Sequence, residues 1–219
     1  MKFTLPKGGV LAMAILMGLV VCSVAASATN ILYTTLGPNG EFDTGAGYFV
    51  DGSNFTNQVI ANQFTLGAGA TVGDAVLALG NFGGGNNPVN AYIEYDASGL
   101  PGAVAATLTQ VGTIPPFGGT GLTTFNCASG CALAAGSYWL VAWEPDSGTQ
   151  QAWNFAYQDS SGNIAFNQVG DAFGSWLGPL NITQEGFRID GASAPEPGSL
   201  VLLGSGVLGL AGVIRRKLM

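Results

Sequence analysis

The residue types on which most protein chemistry depends are scarce in this chain. Its 219 residues include no histidine, which removes Ser-His-Asp and Cys-His nucleophile pairs and His-ligated metals together. The lysines are Lys2, Lys7 and Lys217, so the segment from Thr29 to Ala194 cannot build a Ser-Lys pair. No Gly-x-Ser-x-Gly elbow with a partner base is present either. Carboxylates remain. A glycosidase needs two of them facing one bond, but the 12 acidic residues between Thr29 and Ala194 show no spacing that singles out a pair. No catalytic residue is assigned, and the sequence reads as that of a non-enzyme.

Those 12 acids face one base, Arg188, a formal −11 over the segment. A groove for phosphate backbones needs clustered cations, so nucleic acid is excluded as a partner. Oxygen-rich segments occur at Asp96-Ala97-Ser98-Gly99, Asp146-Ser147-Gly148 and Asp159-Ser160-Ser161-Gly162-Asn163. Calcium takes six to eight oxygens, whereas Asp and Asn are also ordinary turn residues. Turns are the reading, no metal ligand is assigned, and no cofactor is expected. Calcium enters only with the alternative function below. A row of Trp153, Phe155 and Tyr157 on one strand face, with Trp176 in a later loop, would suit sugar stacking. Core packing explains the same row without a ligand. Cys127 and Cys131 enclose Ala-Ser-Gly. In an oxidising compartment they are expected to pair across a turn, with Leu122 to Asn126 and Ser137 to Glu144 as neighbouring strands on either side.

The elements that must position these residues are strands. Gln58 to Leu66 sets Val59, Ala61 and Gln63 against Ile60, Asn62, Phe64 and Leu66. Val72 to Leu79 sets Val72, Asp74, Val76 and Ala78 against Ala75, Leu77 and Leu79. Val89 to Tyr95 sets Val89, Ala91, Ile93 and Tyr95 against Asn90, Tyr92 and Glu94. Ser137 to Glu144 sets Tyr138, Leu140 and Ala142 against Trp139, Val141 and Trp143. Ala152 to Gln158 alternates Trp153, Phe155 and Tyr157. This is period-two patterning, and no segment of the domain shows a 3.6-residue period. Short strands broken by Gly, Asn and Asp turns predict an all-β fold, an antiparallel β-sandwich of jelly-roll type over residues 29–194. Asn62-Gln63-Phe64-Thr65, Ala78-Leu79-Gly80-Asn81-Phe82, Ile93-Glu94-Tyr95-Asp96, Gly99-Leu100-Pro101-Gly102 and Gly136-Ser137-Tyr138-Trp139-Leu140-Val141 follow in order. Over Ala61 to Trp143 they resemble the choice-of-anchor extracellular domains of R type, a resemblance that implies no activity for any residue.

The two ends read as addresses. Lys2 and Lys7, an apolar stretch from Leu11 to Val21, and Ala26-Ser27-Ala28 are the parts of a secretory signal over residues 1–28, cut by signal peptidase after Ala28. Val21 stands before Cys22 where a lipoprotein signal needs a small residue. At the other end, over residues 195–219, Pro195-Glu196-Pro197 precedes an uncharged run from Gly198 to Ile214 and the cations Arg215, Arg216 and Lys217. That run would be a helix of about 25 Å, enough for a single membrane-spanning segment with its basic end in the cytoplasm. The order of motif, helix and basic end resembles the PEP-CTERM sorting signal of Gram-negative bacteria, which implies cleavage near the motif by the membrane protease exosortase. The expected protein is exported, held in the inner membrane before processing, and then placed in the cell envelope or extracellular matrix. Its expected role is structural or adhesive, with extracellular polysaccharide as a partner. The alternative is a carbohydrate-binding module, assisted by calcium.

Overall fold

Alternating apolar and polar residues make the strands, and Gly, Asn and Asp end them. The computed structural model describes residues 30–83, 88–168 and 175–192. Among these the strands are β1 (Ile31–Thr34), β2 (Gly47–Asp51), β3 (Val59–Leu66), β4 (Ala70–Leu77), β5 (Leu79–Asn81), β6 (Asn90–Asp96) and β7 (Pro101–Val111). They continue with β8 (Thr123–Leu133), β9 (Gly136–Trp143), β10 (Gln150–Asn154), β11 (Ser161–Asn167), β12 (Leu177–Thr183) and β13 (Phe187–Gly191). The expected signal segment, with Ala26 and Ala28, lies outside the described residues. So does the expected tail helix, with Pro195, Glu196, Pro197, Arg215, Arg216 and Lys217. Among the described residues no helix is long and apolar enough to cross a membrane.

The antiparallel sandwich expected from the patterning is the fold observed. One sheet has the order β1-β13-β4-β8-β7-β6-β9-β3-β11-β12, and a smaller one has β2-β10-β5. The large sheet curls on itself and its bend lies in β7. Residues 101–108 of that strand pair with β6, while 108–111 pair with β8. β6, β7 and β8 follow one another and β9 returns beside β6, which is Greek-key order. Two short links cross between the layers. β3 ends at Leu66 and β4 starts at Ala70; β8 ends at Leu133 and β9 starts at Gly136. The four ends are bound as Leu66 to Gly136 and Ala70 to Leu133, so the crossings run side by side. The curl brings Tyr33 of β1 within 5.8 Å of Phe64 of β3, ring centre to ring centre, with Phe187 of β13 beside both.

Between the layers lies the main core, including Ile60, Phe64, Leu77, Ile93, Phe125, Leu140, Trp153, Ile164, Phe187 and Ile189. The alternation read for β3, β6 and β9 places these side chains correctly. In β4 it does not. Val72 turns inward with Ala75 and Leu77, because a bulge at Gly73 shifts the register against both β8 and β13. A Cβ at Gly73 would stand 2.9 Å from the backbone of Ala192, so the bulge suits the residue that lacks one.

The surroundings of the cysteines also differ from expectation. β8 continues through both Cys127 and Cys131, and its neighbours are β4 and β7, not β9. Between Asn126 and Cys131 it bulges: five steps along β8 face two along β4, from Asp74 to Val72. β8 and β9 cannot be neighbours because β6 and β7 fill the space between them. The Cα atoms of Cys127 and Cys131 are 6.3 Å apart, within the span of a disulfide, at the base of that bulge.

Candidate functional site

β9 is apolar on both sides, and the side turned away from the core carries the candidate site. Register places Tyr92 of β6 opposite Val141, Asn90 opposite Trp143, and Glu94 opposite Trp139. Gln63 of β3 flanks Trp139 on the other side. On this outer face Val59, Ala61, Trp139, Val141 and Ala165 form a fully buried floor. Tyr92, Leu100, Trp143 and Trp176 pack against it and remain half-buried. Aromatic rings held on a rigid floor offer area for stacking at little entropic cost.

A chain of hydrogen bonds borders the rings. Asn163 Nδ2 donates to Gln63 Oε1 at 2.7 Å, and Gln63 Nε2 donates to Asp96 Oδ1 at 2.9 Å. Trp139 Nε1 donates to the same Asp96 oxygen at 2.8 Å, and the Gly99 amide donates to Oδ2 at 3.1 Å. The β6–β7 turn makes this last contact. Ser98 (φ 59°) and Gly99 (φ 88°) both take left-handed backbone, as the tightest hairpin turns require. Asp96 therefore closes its own turn and fixes the indole of Trp139. Asn163, Gln63 and Asp96 are themselves half-exposed, which leaves a pre-oriented polar edge beside the rings.

Glu94 lies under this face with no solvent exposure, and neither carboxyl oxygen has a hydrogen-bond partner. Burial pushes its acid up to about 8, so it is neutral at neutral pH. Closed from solvent, it is placed to hold a proton and not to deliver one to a substrate. Glu185, buried in the core, is likewise pushed up to about 8. The domain's base, Arg188, grips Asp190 through Nη2 at 2.8 Å and through Nε to both oxygens.

The aromatic row read from the sequence is not brought together as a platform. β10 ends at Asn154, so only Trp153 lies on it. That ring is fully buried in the core, and its Nε1 donates to the Gly186 carbonyl at 3.0 Å. Phe155 meets Tyr48 edge-on, and Tyr157 is exposed in a short 3-10 turn. Trp176 alone of the four reaches the outer face of β9. The oxygen-rich turns stand apart: Asp96 is engaged as described, Asp146 caps its own turn through the Gly148 amide, and Asp159 is exposed. Among the described residues no group of three or more His, Cys, Asp or Glu is placed to hold a metal. Tyr92, Gln63, Glu94 and Trp143 were not singled out by residue type. The signal for them was β9 itself, since a strand apolar on both faces must have both faces covered.

Residues 193–217 match the PEP-CTERM protein-sorting motif family. This motif marks a protein that exosortase sorts to the cell surface or beyond. The match does not extend to Ala61–Trp143, and the choice-of-anchor resemblance there is not shown. No curated protein and no solved structure matches the chain.

Proposed function

With its tail identified as a PEP-CTERM protein-sorting motif, we propose that this chain is a structural and adhesive module of the cell envelope or extracellular matrix of a Gram-negative bacterium. Its β-sandwich is the working part and performs no reaction. One observation carries the reading. A sorting tail is joined to a sandwich that carries an ordered face of rings, carboxamides and one held carboxylate. Such a face can bind, and its one carboxylate, Asp96, is already engaged by Gln63, Gly99 and Trp139.

The route follows from the two ends. Signal peptidase cuts after Ala28, and the tail holds the protein in the inner membrane with Arg215, Arg216 and Lys217 on the cytoplasmic side. Exosortase then acts near Pro195, Glu196 and Pro197. The folded domain needs neither cofactor nor calcium. Deleting the gene should weaken attachment of cells to a surface or cohesion of their matrix. The full chain should restore it, and a chain lacking residues 30–192 should not. Unchanged attachment in the deletion strain would remove the adhesive role.

A further inference from the structure

We propose that the outer face of β3, β6 and β9 is a binding site for an uncharged polysaccharide. This deepens the adhesive reading, on which it rests, by naming the class of surface that is held. Tyr92, Trp143 and Trp176 are half-buried rings on a floor that cannot move without opening the sheet. Beside them Gln63 and Asp96 are fixed by hydrogen bonds before any ligand arrives, and oriented donors and acceptors beside apolar area are what hydroxyl-rich ligands require.

Charge decides the class of sugar. The segment from Thr29 to Ala194 holds 12 acids and one base, and that base is bound to Asp190. An acidic polysaccharide would meet repulsion with no free cation among the described residues to offset it. A neutral one meets no such barrier.

The test uses the purified full chain. Isothermal titration compares hexasaccharides of β-1,3- and β-1,4-linked glucose and of mannose with an oligogalacturonate. We expect at least one neutral sugar to bind with little dependence on salt, and the acidic one to fail. Tyr92→Ala with Trp143→Ala should lower the affinity roughly tenfold or more, since losing two ring contacts removes of the order of 1.4 kcal/mol or above. Phe82→Ala, in the exposed Phe49–Phe82–Phe117 stack on the small sheet, should leave binding unchanged. A second readout needs no variant. Trp139 and Trp153 have no exposure, so bound sugar should shield indole fluorescence from iodide mainly at Trp143 and Trp176. Failure of every neutral sugar to bind, preference for the acidic one, or full affinity in the double variant would overturn the site. Cells that still attach through the protein while it binds no sugar would sink this site alone. Sugar binding without attachment would instead sink the adhesive reading.

Discussion

Glu94 and Glu185 have no solvent exposure, and burial pushes both up to about 8. In the unfolded chain a glutamate titrates near ~4.3. Between those values the folded domain keeps protons that the unfolded chain has released. The stability that the neutral forms confer is therefore full below the unfolded value and is lost as pH rises through the folded one, at about 1.4 kcal/mol per pH unit per group. The melting temperature should fall between pH 5 and pH 8.5, and Glu94→Gln with Glu185→Gln should flatten that fall. Calorimetry across the range checks it, and an equal slope in wild type and double variant would refute it. Cys127 and Cys131 give a second expectation at this scale. Closing so short a loop contributes about 2 kcal/mol, so replacing both by serine should lower the melting temperature modestly without unfolding the domain. The denatured, unreduced domain should show no thiol from this pair, and finding both would refute the bridge.

β2 depends on a close approach. A Cβ on Gly47 would collide with the backbone of Trp153 and Asn154 in β10. Gly47→Ala should cost about 1–3 kcal/mol, as overpacking generally does, and should weaken the amide protection of β2 and β10 before that of β9. Uniform loss across the domain would count against it. The strands of the main core were legible because β3, β6 and β9 alternate without interruption. In β4 the pattern points Val72 to the wrong face, because a bulge changes which face a residue occupies without changing any residue type. β12 carried no signal. Its residues are mostly exposed and include Gly178 and Pro179, so pairing with β11 makes it a strand and patterning does not. The candidate site was half legible. Tyr92 with Glu94, and Trp139 with Trp143, were placed on the right strand faces. Which faces meet depends on the order β6-β9-β3, and that order is long-range information that no local pattern holds.

For the molecule as a whole, the route to the surface can be followed in cells. A reporter fused after Met219 should stay cytoplasmic, and the intact mass of surface-extracted protein should lack the residues beyond the Pro195–Pro197 motif. A periplasmic reporter would reverse the topology, and a retained tail in a strain with exosortase would leave the protein as a simple membrane-anchored one. The pairing of β1 with β13 bears on what happens next. Ile31 lies opposite Asp190, and the Gly191 amide donates to the Asn30 carbonyl at 2.7 Å, so the domain's first and last described residues leave from the same rung. A load applied between these two ends would open the β1–β13 ladder one rung at a time. A load between residue 192 and the outer face of β9 would instead enter through β13, which is bonded to β1 on one side and β4 on the other, so both ladders share it. In the proposed mature form the amino terminus is free, so wind or flow acting on an attached cell would reach the domain only by the second path. Force spectroscopy with handles at 30 and 192, then at 143 and 192, should find the second geometry the stronger.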